Sequence, residues 1–361
     1  MRWLAAILAL LLGATVAVRA DSQFARVQPG VALAFPGDHG AHPDFRLEWW
    51  YVTGWLTTEE GRELGFQVTF FRSRPEVDPA NPSRFAPAQV LFAHAALSDP
   101  DVGHLLHGEL AARAGFGIAE APTGDAAVVL RDWSLEREPD GRFTTEVSTP
   151  DFALALTLTP TQEIFLQGDK GYSRKGPDPD DASHYYSMPH LEVAGTLTRE
   201  GAALSVTGTA WLDREWSPNF LSPGAVGWEW VGLNLDDGGA LVAFRIRDRD
   251  NRTVWAGGSL RRPDGSVTRL APGDVTFTAV RRWRSPRTDA LYPVEQILTL
   301  RLPEGERSFQ LSPLFEDQEL DGRATGLPVY WEGAVRTPGG KGYLELTGYT
   351  SPLSLLFDPG F

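Results

Sequence analysis

The 361-residue chain has no cysteine, so no disulfide can staple the fold and no lipid-anchored cysteine can follow a leader. Stability must come from packing alone. Basic residues are outnumbered, 33 Lys and Arg against 47 Asp and Glu, for a net charge of −14. Such a surface argues against nucleic acid and anionic membranes, which would repel it, and says little about a neutral ligand. Helical stripes are nearly absent. After the first residues no segment approaches the ~20 uninterrupted apolar residues of a membrane span. G-x-S-x-G, the P-loop and the dinucleotide fingerprint are all missing, which removes the commonest hydrolase and nucleotide-binding readings.

What is present begins with MRWLAAILALLLGATVAVRA, a basic Arg2 ahead of an apolar run and small residues leading to Ala20. This reads as a secretory signal over residues 1–20, cut after Ala20, and predicts a periplasmic or secreted protein. Cleavage removes Arg2 and Arg19 and takes the charge from −14 to −16. Twelve tryptophans and nineteen phenylalanines supply aromatic surface for cores and for an apolar pocket alike.

Short runs of period-two alternation, separated by Gly, Pro and Asp turns, predict an all-β protein. Clear hairpins join Trp49–Leu56 to Glu63–Arg72, Trp228–Leu235 to Ala240–Arg247, and Trp255–Leu260 to Val267–Leu270. The first two resemble each other: EWWYVTGWL…LGFQVTFFRSR and WEWVGLNL…ALVAFRIRDRD each carry a Trp cluster, a Gly, a tight turn and an Arg-x-Arg end. This is read as an internal duplication. The expected fold is two tandem antiparallel β-barrels, over 21–218 and 219–361. Between them in sequence, Gln167–Ala182 (QGDKGYSRKGPDPDDA) is too rich in Gly, Pro and Asp for regular structure, and reads as a solvated loop or as a lid over a barrel mouth.

Within TGTAWLDREWSPNF, strand alternation puts Ala210, Leu212, Arg214 and Trp216 on one face and Trp211, Asp213 and Glu215 on the other. Either the acids face water, or they line a ligand cavity. In the second case desolvation and mutual repulsion raise a carboxyl pKa, while Arg214 points away. The same parity groups His184, Tyr186 and Met188 in SHYYSMPHLEV; His184 is a candidate proton relay and Tyr186 a hydrogen-bond donor, if that strand pairs with the Asp213 strand. His39-x-x-His42 and His104-x-x-His107 lack further ligands at zinc spacing, so no metal is predicted, nor any cofactor.

The motifs FPGDHGAHPDFRLEWWYVTGWL (Phe35–Leu56), GYSRKG (Gly171–Gly176), SHYYSMPHLEVAGTL (Ser183–Leu197), GTAWLDREW (Gly208–Trp216) and GWEWVGLNLDDG (Gly227–Gly238) together resemble the carotenoid 1,2-hydratase-like, or AttH-like, lipocalin family of bacteria. The resemblance spans nearly the whole chain after the leader. It implies two lipocalin-like barrels in tandem, in a family with many exported members labelled only as predicted secreted hydrolases. Distantly similar fungal proteins accelerate intramolecular Diels–Alder cyclisations of polyenes. In the hydratases the proposed acid–base set is a His-x-Trp pair and a Tyr-x-Asp pair. The corresponding places are His184-Tyr185-Tyr186 and Trp211-Leu212-Asp213, where Tyr186 and Trp211 exchange aromatic types.

The resemblance implies an apolar isoprenoid, polyene or lipid ligand and addition of water across C=C. The candidate catalytic residues are Asp213, His184, Tyr186, Trp211 and Glu215. Candidate ligand-binding aromatics are Trp49, Trp50 and Tyr51 on the first hairpin, Tyr172 and Tyr185 around the loop, Trp216 after the acids, and Trp228 and Trp230 in the second barrel. The alternative is a non-catalytic carrier with an ABC-type export system as partner; a hydrolase ranks last, for want of an identifiable nucleophile and base.

Overall fold

The computed structural model describes residues 24–75, 83, 86–325 and 327–353. The leader read over residues 1–20 lies outside them. Among the described residues the regular structure is two antiparallel sheets and three short 3-10 turns. The first sheet runs from Leu47–Thr58 to Ala202–Ser217, the second from Ala225–Leu235 to Gly340–Leu346. Each curls around its own apolar core, giving two tandem lipocalin-like barrels.

Both barrels follow one plan. In the first, strand Leu47–Thr58 pairs with the following strand Glu63–Ser73 on one side and with the last long strand, Ala202–Ser217, on the other. In the second, Ala225–Leu235 likewise pairs with Ala240–Asp248 and with the final strand Gly340–Leu346. The two look-alike hairpins of the sequence therefore occupy the same topological place.

Burial tells which strands meet the other barrel. Phe152–Thr159 alternates buried and accessible positions, as a strand with one face in water must. Leu47–Thr58 and Ala225–Leu235 are buried almost throughout, because one face packs on its own core and the other on the neighbouring barrel. A third apolar cluster, including Tyr51, Trp55, Tyr185, Trp211, Trp230 and Tyr343, fills that seam. Close approach is required at Gly65, where a β-carbon would stand 2.6 Å from the Tyr343 hydroxyl and 2.7 Å from Ala334. Across the seam Trp55 donates to the Gly342 carbonyl at 3.1 Å, and Asn234 donates to the Ala210 carbonyl at 3.2 Å.

Residues 24–46 are largely irregular and tuck into the first core through Leu33, Ala41 and Phe45. The Gly/Pro/Asp-rich segment differs from its prediction in one respect. Tyr172–Arg174 forms a short strand against Ala182–His184, since three residues suffice to extend a neighbouring sheet edge.

Candidate active site

Strand Ala202–Ser217 is amphipathic in an unusual sense, with two buried faces of different chemistry. Val206, Ala210, Leu212 and Trp216 enter the first core, whereas Trp211 enters the seam. Alternation then delivers Asp213 and Glu215 to the seam. Directly across from Asp213 lie Tyr51 and Ser187; across from Glu215 lie Trp49 and Tyr185.

Asp213 is 3% exposed. Its Oδ1 accepts from Ser187 Oγ at 2.5 Å and Trp211 Nε1 at 2.7 Å, and its Oδ2 accepts from the Tyr185 hydroxyl at 2.9 Å. Trp230, from the second barrel, donates in turn to the Tyr185 oxygen at 3.1 Å. All these partners are neutral. Burial pushes the Asp213 carboxyl up to about 7 against the pull of the three donors, and Glu215 adds repulsion. Burial also raises Glu215, with Lys175 opposing the shift. Lys175 donates to Ser217 Oγ at 2.8 Å and to the Asn219 carbonyl at 2.5 Å, and burial pushes its amine down to about 8.

These groups border a cavity of about 110 Å³ between the barrels. Trp49, Tyr51, Phe71 and Tyr185 wall it from the first barrel, Trp228, Trp230, Phe244 and Tyr330 from the second, and Ser173 and Lys175 reach it from the Gly/Pro/Asp-rich segment. The space is close to the ~150 Å³ that holds a benzene ring in an engineered apolar cavity. The second barrel adds two acids to the lining, Glu332 and Glu345. They are cross-strand partners, so their side chains share one face. Burial raises both; Glu345 adds to the rise at Glu332, while Glu215 and Asp213 of the first barrel add to the rise at Glu345, which reaches about 7 against the pull of the Trp228 donor. Glu332 Oε2 accepts from Gln67 Nε2 at 2.6 Å, and Glu345 Oε2 accepts from Trp228 Nε1 at 2.6 Å.

The structure brings together Asp213, Trp211, Glu215, Tyr185, Trp49, Tyr51, Trp228 and Trp230 of the expected set. It separates His184, Tyr186, Trp50 and Trp216 from them. The register pairs His184 with Trp216 and Tyr186 with Arg214, which turns both side chains to the opposite face of the sheet from Asp213. The expected relay from His184 to Asp213 is therefore corrected: Tyr185 and Ser187 hold that place. His184 packs on Trp216, and burial pushes its imidazole down to about 4. The Tyr186 hydroxyl meets His39 Nδ1 at 2.6 Å, while Trp50 donates to the His39 carbonyl at 2.9 Å. Tyr172 lies outside the cavity and donates to the Pro179 carbonyl at 2.6 Å. A second correction concerns the cavity itself, which is walled by both barrels, whereas the interior of the first is a packed core.

Sequence inspection missed Ser187, Lys175, Gln67, Tyr330, Glu332 and Glu345. One signal was available: PVYWEGAVR and GYLELTG each place an acid inside an apolar, aromatic strand, the pattern that marked Asp213 in AWLDREW. His42 lies 3.1 Å from Asp38 Oδ1 and 3.2 Å from Glu48 Oε2.

No curated protein matches the sequence. The structure is similar to that of a crystallised Nitrosomonas europaea protein named for AttH, 52% identical over 90% of this chain and 100% of that one, with a TM-score of 0.84. Kievitone hydratase from Nectria haematococca is 16% identical over 91% of this chain and 98% of its own, with a TM-score of 0.68. CghA, crystallised with Sch210972, is 15% identical over 92% and 98%, with a TM-score of 0.56. The last two share the two-barrel fold. The AttH-like family profile matches residues 26–349, nearly all of the two barrels, and the chain belongs to the AttH-like family.

Proposed function

We propose that this protein is a hydro-lyase that adds water across a C=C bond of an apolar isoprenoid- or polyene-type ligand, with Asp213 as the general acid. The observation that carries the reading is a carboxyl group held by neutral donors alone, at the edge of an aromatic cavity, with a pKa near neutrality. Kievitone hydratase, a hydratase by name, has the same fold.

The Asp213 O–H donates its proton to one alkene carbon, the π pair becomes the new C–H bond, and a tertiary cation remains at the other carbon. Such proton transfer contributes about 10²–10⁴-fold. The indoles of Trp49, Trp228 and Trp230 line the space where that charge develops. Cation–π contact with a desolvated ring is worth about 2 kcal/mol. Water then bonds the cationic carbon and releases a proton, and solvent returns one to Asp213. Glu215 is close enough to the acid to bias it electrostatically. His184 and Tyr186 have no part in this step. A cavity of about 110 Å³ takes one end of a long ligand, one isoprenoid unit or ring, and leaves the rest at the mouth.

Export is part of the proposal, and secreted protein is expected to begin at Asp21. The test of the reaction is incubation of the mature chain with short prenyl compounds in ¹⁸O-water. A labelled alcohol formed by the native protein and not by Asp213→Asn supports hydration. A co-purifying isoprenoid returned unchanged, with no label in either protein, supports the carrier instead.

A further inference from the structure

The sequence holds thirty arginines and only three lysines, Lys170, Lys175 and Lys341. Two of the three have ordinary places: Lys170 is exposed, and Lys341 pairs with Glu63. Lys175 is 7% exposed. It follows the short strand Tyr172–Arg174, whose alternation sends Ser173 and Lys175 to the seam cavity and Arg174 over the Trp255 ring. Ser222 Oγ donates to the Lys175 carbonyl at 2.9 Å and fixes the backbone there. The ammonium donates to neutral oxygens, Ser217 Oγ and the Asn219 carbonyl, and among the described residues no carboxylate pairs with it. A buried amine without a counter-ion is costly as a cation, and a lysine desolvated in an apolar pocket is one that can act as a Schiff-base nucleophile.

The cavity wall defines what Lys175 would meet. It is aromatic and acidic, with Asp213, Glu215, Glu332 and Glu345, and Lys175 is its only base. A carboxylate ligand would enter against four acids. A neutral carbonyl compound enters without that repulsion and becomes a cation on reacting with the amine, which the acids then balance; Glu215 already favours the charged amine. Leu221 lines both this cavity and a surface cleft with Asp181, Asn219 and Ser222, so a route for ligand and water lies at the Lys175 end. We propose that Lys175 is the attachment point for small apolar aldehydes, which it binds in the seam as a protonated imine. The amine, freed of one proton, forms a C–N bond to the carbonyl carbon, and the C=O π pair moves to oxygen, which takes up that proton. A second N–H proton passes to the resulting hydroxyl, the C–O bond breaks, water leaves, and the nitrogen lone pair closes the C=N bond. This goes beyond water addition, since the aldehyde needs no C=C bond.

The test incubates the mature chain with 3-methylbutanal and sodium cyanoborohydride at pH 7, followed by peptide mass mapping. Reduction of the imine leaves an isopentyl group on the lysine that formed it. Lys175 is expected to be labelled about tenfold faster than exposed Lys170, because more of its amine is uncharged. 3-Methylbutan-1-ol, which has the same chain and no carbonyl, is expected to slow labelling of Lys175 and to leave Lys170 unchanged. Labelling of Lys175 no faster than that of Lys170 overturns the proposal. So does fast labelling that the alcohol fails to slow, because the aldehyde then reaches Lys175 from outside the cavity. Since 3-methylbutanal has no C=C bond, either outcome is independent of whether the protein adds water to an alkene.

Discussion

The two faces of strand Ala202–Ser217 both bury ionisable groups, and they stabilise them by opposite means. On the core-facing side, Arg214 donates to Glu48 Oε2 at 2.8 Å, Glu48 also binds Arg72, and the Arg214 guanidinium lies 3.9 Å from the Trp50 ring. Every charge there has an opposite charge. Despite its burial, Glu48 is held well below the usual carboxylate range by Arg214, His42 and Arg72. One residue earlier, Asp213 has only neutral donors and is pushed up to about 7. The paired face locks structure; the unpaired one retains a proton that can be transferred. Residue type alone does not separate these roles, since both faces hold acids beside tryptophans.

Breaking the paired face is expected to have the largest effect on stability. Glu48→Gln strands two buried guanidiniums and should cost about 3–5 kcal/mol, read as a lower denaturant midpoint. On the seam the balance reverses: Asp213→Asn should lower any hydration rate about 10²–10⁴-fold while raising stability at pH 8, where native protein carries a buried, unpaired carboxylate.

The pH dependence sharpens the contrast. Because the folded pKa of Asp213 is raised from 3.8 to about 7, its contribution is fully present below 3.8 and is lost as pH rises through about 7. The slope is at most about 1.4 kcal/mol per pH unit. Glu48 has the opposite sign, contributing above 4.5 and losing that contribution as pH falls. Urea midpoints of Asp213→Asn against native protein should separate as pH rises from 4 to 8, whereas those of Glu48→Gln should stay at a constant distance above about pH 4.5 and close on native protein only as pH falls below it. The smallest expected effect is Tyr172→Phe. It removes the bond to Pro179 outside the cavity and should cost about 1 kcal/mol or less, with ligand binding unchanged.

Much of the fold was legible because hairpins are local. DDGG and TTEEGR set turns, alternation set faces, and the repeated Trp-rich hairpin announced the second barrel. The face of Asp213 relative to Arg214 was equally local. What alternation cannot supply is register between strands: His184 and Tyr185 differ by one residue, and one residue decides which side of the sheet a side chain takes. The contribution of Glu332 and Glu345 was hidden for a different reason. They reach the site only through the packing of one barrel on the other, more than a hundred residues along the chain from Asp213.

Inside the seam, Asp213 keeps its proton near neutrality. Infrared difference spectra between native protein and Asp213→Asn, recorded across pH, isolate the carbonyl stretch of that one protonated carboxyl. A band that disappears with a midpoint of about 7 is the predicted result. A carboxyl already ionised at pH 5, titrating near its ordinary 3.8, would remove Asp213 as the proton donor.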